Sequence, residues 1–332
     1  MSEKIKLALY WGASCGGCDV AVLDTNEKLL DIAASADIVL WPIAADGKHQ
    51  DIENMADGEI DVCLFNGGVR NSEVEHMAKL LRAKSKTLVA VGACATLGGI
   101  PGLANQYTRE SLMKRVYNDG DTIRDINATR PTVTSHVPEG ELSLPTLFEK
   151  VSPLDKVVKV DYYLPGCPPT PESVMVAVGA LLSGNLPELG SVIGNAKTLC
   201  DECKREKSNT RSISKFHRPH EIIADPNKCL LEQGIVCAGP ATRGGCGAGC
   251  ISANMPCRGC YGPPDGVLDQ GAKLLSAVAS LIASDDEAEI ERIAAGIRDT
   301  FGLFCSFSVP SSMLSTRPTD SDDENEADRR AA

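Results

Sequence analysis

An α/β fold, with an open parallel sheet followed by a smaller cysteine-rich segment, is what this sequence predicts, and three observations carry the prediction. Short aliphatic runs alternate with amphipathic stretches as far as residue 184. The texture then changes to glycine and cysteine with no long hydrophobic period. Cysteines fall just past the ends of several aliphatic runs, where a parallel sheet gathers its ligands.

The runs are KIKLALYW (residues 4–11), DIVLWPI (37–43), DVCLFNGG (61–68), KTLVAVGAC (86–94) and KVDYYLPGC (159–167). Each is short and aliphatic or β-branched, and all but the first run into Gly or Pro; the first meets Gly12 and Ser14. Buried parallel strands read this way. Between them, residues 20–34, 72–83 and 171–182 carry helical periodicity. Strands alternating with helices through right-handed crossovers give a flavodoxin-like, doubly wound three-layer sandwich. Residues 117–155 are less regular and are expected to form an insertion with little structure of its own.

Three domains are expected: 1–184, the doubly wound unit; 185–314, the cysteine-rich unit; and 315–332, a disordered acidic tail. Residues 185–198 read as the linker. Residues 200–264 contain eight cysteines and few core residues, so bound metal is expected to supply stability there. Helices are expected over 268–283 and 287–299. In the first, Leu268, Ala272, Leu275, Ala279 and Ile282 are expected to form the buried face. The tail holds Asp320, Asp322, Asp323, Glu324, Glu326 and Asp328, too polar a run to bury surface.

Composition narrows the function classes. Across 332 residues the net charge is −12, which argues against a nucleic-acid partner, since phosphate backbones are held by clustered Lys and Arg. No run reaches the ~18 apolar residues that a membrane span needs, so no membrane insertion is expected. The first residues, MSEKIKLALYW, show neither a signal-peptide pattern nor a twin-arginine pair, which leads to the expectation of a cytoplasmic protein. In a reducing cytosol, fourteen cysteines at repeated short spacings read as metal ligands more readily than as disulfides.

Cys15 and Cys18 form CGGC after the first strand, Cys94 ends the fourth run, and Cys167 ends the fifth. The carboxyl ends of parallel strands share one edge, so these four distant thiols are expected to converge there. Gly16, Gly17, Gly92 and Gly166 would let backbone approach closely and aim amides at sulfur, which stabilises an anionic cluster. Zinc also takes four cysteines, and CxxC beside a βαβ unit also suits a thiol redox pair. Structural zinc staples small local loops, however, and a dithiol pair would give Cys94 and Cys167 no role. An iron–sulfur cluster accounts for all four.

The later cysteines are Cys200, Cys203, Cys229, Cys237, Cys246, Cys250, Cys257 and Cys260. Eight thiols divide into two sets of four. Cys246 to Cys260 is compact enough to wrap one cubane, although spacing alone leaves other pairings open. GGCGAGC (244–250) superficially offers a phosphate loop, but no strand precedes it and no Lys-Ser/Thr follows. Cys63 and Cys305 read as structural. The histidines, His49, His76, His136, His217 and His220, show no metal spacing, and only the last two lie near the second cysteine region. Asp19 reads as a solvated or helix-capping carboxylate, with assistance to proton exit as the alternative.

SCGGCDV (14–20), GACATLGGIPG (92–102), LPGCPPTPE (164–172), CLLEQGIVCAGPATRGGC (229–246) and PCRGCYGPPDG (256–266) together resemble the small subunits of nickel–iron hydrogenases. The resemblance covers nearly the whole chain apart from the acidic tail. It implies three [4Fe–4S] clusters as cofactors: a proximal one on Cys15, Cys18, Cys94 and Cys167, a distal one on Cys200, Cys203, Cys229 and Cys237, and a medial one on Cys246, Cys250, Cys257 and Cys260. Two departures from the periplasmic branch point to the cytoplasmic, methyl-viologen-reducing, F420-non-reducing type. Cys200 stands where that branch has histidine, and Cys250 supplies a fourth medial cysteine that it often lacks.

The implied partners are a large subunit carrying nickel–iron, an iron–sulfur acceptor subunit and a heterodisulfide reductase complex. No catalytic residue is expected on this chain. The alternatives are an F420-reducing hydrogenase small subunit, a cluster subunit of complex I, a ferredoxin-type carrier and a zinc-stapled interaction module. The complex I subunit typically has adjacent cysteines in place of CGGC and lacks the eight-cysteine segment. A ferredoxin-type carrier would not need the doubly wound domain.

Overall fold

Five parallel strands form the main sheet in the computed structural model, which describes residues 4–314 except 121, 124–126, 128 and 209. The acidic tail expected at 315–332 lies outside the described residues. The strands are β1 (Ile5–Trp11), β2 (Ala36–Leu40), β3 (Ile60–Asn66), β4 (Ser85–Val91) and β5 (Tyr162–Leu164). Their spatial order is β2-β1-β3-β4-β5, the flavodoxin-like doubly wound arrangement expected from the sequence. Leu7 pairs with Val62, Val62 with Thr87, and Val89 with Tyr162.

Side chains alternate between the sheet's faces. Ala8, Tyr10, Cys63, Phe65, Leu88 and Ala90 pack into one core with Met77 and Leu81. Leu7, Leu9, Val62, Leu64, Val89 and Val91 pack into the other with Val22, Ile32, Val174 and Val178. Fully burying each large aliphatic or aromatic side chain contributes about 1.5–3 kcal/mol, which is why strand register is fixed on both faces.

The helices that frame the sites are α1 (Gly17–Leu23), α2 (Lys28–Ser35), α3 (Ser72–Lys84), α4 (Gly92–Leu97), α5 (Pro171–Ser183), α6 (Gln270–Ala279) and α7 (Glu287–Ala294), with a further helix at Arg109–Tyr117 and shorter helical segments besides. Asn71 caps α3 by accepting from the Val74 amide, with Glu73 and Glu75 in the first turn and Arg82 and Lys84 in the last. Thr170 caps α5, Pro171 begins it, and Gly184 closes it in the left-handed conformation.

Four sequence expectations are corrected. The single helix expected over 20–34 is two, α1 and α2, because Asn26 takes a positive φ of 55° between them. The stretch 117–155 does hold structure. Thr134–Val137 and Gly140–Ser143 form an exposed hairpin, and Leu147–Ser152 pairs with Val69–Asn71. The buried face of α6 is Leu274 and Val278, whereas Leu268 is 84% and Leu275 46% exposed. Asp269 caps this helix, which shifts its start and rotates the apolar stripe.

The fourth correction concerns the cysteine-rich segment, which is not poor in core. Ile213, Phe216, Leu230, Leu231, Ile235 and Ile251 are buried with Leu274, Val278, Ile293 and Phe304. Its apolar residues are too widely spaced to read as a period, because turns rather than helices bring them inward. Residues 185–198 run along the sheet edge, where the Tyr163 amide donates to Ser191 O and Tyr163 O accepts from the Ile193 amide.

Candidate metal centres

The turn after β1 starts the first group of thiols. Gly16 takes φ 80° and admits the turn into α1, leaving Cys15 exposed and Cys18 buried. Cys94 lies in α4 directly after β4, and Cys167 follows β5. The two turns are tied together, since the Ala93 amide donates to Gly166 O at 2.7 Å. All four thiols are neighbours. Burial raises the Cys18 thiol well above its usual range, and Cys94, Cys167, Asp19 and Cys15 raise it further. Burial pushes Cys94 up to about 12, with Cys167 and Cys15 adding to the rise. Cys167 is raised by burial and by Cys15.

Asp19 is neither solvated nor a cap. It is 1% exposed and accepts from Trp41 Nε1 at 2.9 Å and Asn66 Nδ2 at 2.8 Å. Asn66 in turn accepts from Ser14 Oγ at 3.0 Å, so the network holds the CGGC turn against the end of β3. Sequence reasoning missed this because Trp41 and Asn66 come from other strands.

A second group lies at Cys200, Cys203, Cys229 and Cys237, which line one small cavity with Leu230, Leu231, Pro240, Ile251, Arg205 and Lys207. Burial pushes Cys200 up to about 12; Lys207 opposes this, while Cys237, Cys229 and Cys203 add to it. Cys237 is also raised by burial, against the amides of Gly239 and Cys257 that donate to its sulfur. The Cys257 amide lies 3.4 Å from Cys237 Sγ.

Cys246, Cys250, Cys257 and Cys260 form the third group. Burial raises Cys246, opposed by the Ala248 amide and reinforced by Glu202 and Cys250. Burial pushes Cys257 up to about 12, with Cys237 adding to the rise. It also pushes Cys260 up to about 12, opposed by the Cys167 amide that donates to its sulfur; Cys167, Cys246 and Cys250 add to the rise. The third group therefore touches the first through Cys260 and Cys167, and the second through Cys257 and Cys237.

Glycines keep the space beside these sulfurs open. A Cβ on Gly92 would collide with Cys18 Sγ, one on Gly99 would lie 2.6 Å from Cys94 Sγ, and one on Gly239 would lie 3.2 Å from Cys200 Sγ. Four soft sulfur donors, cradled by glycine and met by amide N–H groups, match the needs of an anionic iron–sulfur cluster. Raised thiols remain protonated until iron lowers them, so cluster insertion releases protons. Among the described residues no three Cys, His, Asp or Glu side chains are gathered tightly enough for a single metal ion.

The remaining candidates lie elsewhere. Cys63 is fully buried in β3, and Cys305 is buried against Gly271 and Ser312. His217 and His220 line a separate groove with Arg218, Arg258 and Arg298. His217 lies 3.7 Å from Glu221, His76 3.8 Å from Glu53, and His136 3.6 Å from Glu141; the His49 ring lies tilted beside Tyr10, centroids 6.3 Å apart. Sequence reasoning also missed Tyr261, whose hydroxyl accepts from the Thr170 amide at 3.1 Å and joins α5 to the cysteine-rich segment. Arg205 and Glu202 are two more, and only their adjacency to CxxC hinted at them.

A family model described as "NADH ubiquinone oxidoreductase, 20 Kd subunit" matches residues 15–181, half of the chain, which is thus a member of that family. The match holds Cys15, Cys18, Cys94 and Cys167 and stops short of the eight cysteines from Cys200 to Cys260. Two relatives span both parts. An F420-non-reducing hydrogenase iron–sulfur subunit of Archaeoglobus profundus is 41% identical across 94% of this chain and 98% of its own. The corresponding vhu subunit of the F420-non-reducing hydrogenase of Methanococcus voltae is 42% identical across 96% and 99%.

The chain belongs to the iron–sulfur subunits of F420-non-reducing hydrogenases.

As a hydrogenase small subunit it is part of an oxidoreductase acting on hydrogen. The delta chain of sulfhydrogenase 2 of Pyrococcus furiosus is more distant, 28% identical across 85% of this chain and 95% of its own. Among the described residues of this hydrogenase subunit, no helix is long and apolar enough to cross a membrane.

Proposed function

We propose that this hydrogenase subunit carries electrons, one at a time, from a large subunit bearing the nickel–iron centre to an iron–sulfur acceptor subunit serving a heterodisulfide reductase complex, in the cytoplasm. The observation that carries the reading is the order of the thiol groups. Cys167 meets Cys260, and Cys257 meets Cys237, so the third group adjoins both of the others. Bound as [4Fe–4S] clusters, iron and sulfide would supply one-electron storage at each group. The chain's own part is to fix positions and potentials with thiolates, amides and burial.

In this reading Cys15, Cys18, Cys94 and Cys167 hold the entry cluster. Cys15 and Cys167 are exposed, which suits a face that the large subunit covers. Cys246, Cys250, Cys257 and Cys260 hold the middle cluster, and Cys200, Cys203, Cys229 and Cys237 the exit cluster. Hydrogen is cleaved on the large subunit, so this chain makes and breaks no substrate bond. Residues 1–184 and 185–314 would then be the entry domain and the exit domain.

This chain, purified anaerobically, should be brown and hold roughly twelve irons, four for each cubane. Cys94→Ala should remove one cluster and abolish hydrogen-dependent dye reduction. Full activity and iron in that variant would overturn the entry assignment, and a colourless chain binding zinc would overturn the function.

A further inference from the structure

The cavity bounded by Cys200, Cys203, Cys229 and Cys237 is lined by two charged side chains that the relay scheme does not use, Arg205 and Lys207, and of these Arg205 is the buried one. Arg205 is 8% exposed and lines that cavity. A guanidinium has five N–H donors. Four have acceptors: Nη1 donates to Asp225 O at 2.7 Å and Lys228 O at 3.0 Å, and Nη2 to Ile251 O at 3.1 Å and Asn254 Oδ1 at 2.6 Å. The fifth, on Nε, is buried with no acceptor among the described residues.

Those four bonds lock the guanidinium between the loop before Cys229 and the turn after Cys250, so it cannot swing out to water. A buried charged donor left unpaired is costly, which marks the place of an acceptor that the polypeptide does not supply. The rest of the lining is Leu230, Leu231, Pro240 and Ile251, with Lys207 as the other cation, and it offers no side-chain oxygen. Sulfur is the acceptor chemistry left.

We propose that Arg205 sets the potential of the exit cluster: its Nε–H donates to a sulfur of the cluster on Cys200, Cys203, Cys229 and Cys237, and its fixed charge stabilises the reduced state. The proposal rests on the assignment of those four cysteines to one cluster. A cation and a donor aimed at the cluster favour the form with one more electron, so Arg205 raises the exit potential. Electrons leaving the Cys257 and Cys260 group then move toward the surface with a downhill last step. Arg205 is a positioning residue, since hydrogen never reaches it.

The test is a redox titration of the three clusters, followed by electron paramagnetic resonance, in the anaerobically purified complex. Arg205→Gln removes the charge, and Arg205→Lys keeps it while losing the rigid fork; Cys229→Ser alters the signal of whichever cluster Cys229 ligates. In Arg205→Gln the reduced-to-oxidised ratio of that one cluster should fall tenfold at fixed potential, about 59 mV for a one-electron couple. Arg205→Lys should fall less, the other two clusters should hold their potentials, and iron should stay complete.

Unchanged potentials with complete iron, or a shift in a cluster other than the one Cys229→Ser marks, would overturn the role of Arg205. Where Arg205→Gln loses iron, the Lys variant decides by the same reading. A Cys229→Ser protein with all three signals intact would instead overturn the four-cysteine assignment itself.

Discussion

Gly92→Ala is the most demanding perturbation of the entry site, because the backbone and the sulfur oppose it together. Gly92 has φ 80°, and an added Cβ would collide with Cys18 Sγ while lying 3.4 Å from Gly166 O. Forcing an L-residue into the left-handed region costs about 1–2 kcal/mol. Overpacking a fixed wall adds about 1–3 kcal/mol. The expected destabilisation is therefore about 2–5 kcal/mol, a large part of the roughly 5–15 kcal/mol that holds a domain. Gly184→Ala is the control. Its φ is 70° and nothing lies within 4 Å of the added atom, so only the backbone cost of about 1–2 kcal/mol applies. Urea unfolding should place Gly92→Ala below Gly184→Ala, and iron analysis should find one cluster missing only in the former. Equal midpoints and equal iron would refute the claim that Gly92 reserves room for the Cys18 sulfur.

Other outcomes follow from the same geometry. Asp19→Ala strands the Trp41 and Asn66 donors, each costing about 1–3 kcal/mol when buried and unpaired; urea unfolding should show a loss well beyond that of an exposed carboxylate such as Asp46→Ala. Cys63→Ala and Cys305→Ala should each cost about 1 kcal/mol, the ordinary cost of a small core truncation, and leave iron per chain unchanged. Glu202 is bonded to the Gly245 amide at 2.6 Å and to Asn195 at 3.0 Å, with its Oε2 buried and unpartnered near Cys246. Neutralising it in Glu202→Gln should raise the potential of the cluster on Cys246, by up to about 59 mV for a tenfold ratio, and redox titration would show it.

Much of the fold was legible because local rules and global packing agree. Aliphatic runs such as 86–94 suit only strands covered on both faces, and those at 4–11, 86–94 and 159–167 end in glycine turns at the same sheet edge. That alone places Cys15, Cys94 and Cys167 together, with no knowledge of distances. The helix over 20–34 misled because its apolar spacing continues through Asn26, where the backbone turns left-handed. The α6 stripe misled because Leu268 and Leu275 fit the period as well as Leu274 and Val278 do, and only packing against Phe304 and Ile293 selects between them.

The sequence by itself determined the spacing of the candidate thiols and the sheet edge that collects Cys15, Cys18, Cys94 and Cys167, since these follow from chain direction and side-chain chemistry. Tertiary structure decided which group stands beside which, that Cys260 meets Cys167 and Cys257 meets Cys237. It also decided which charges lie beside the thiol groups: Arg205 lines the cavity of the second, and Glu202 lies near Cys246. Arg205 and Glu202 are ordinary surface-type residues until folding removes water from them, and a charge's effect on a neighbouring centre grows only when that water has gone.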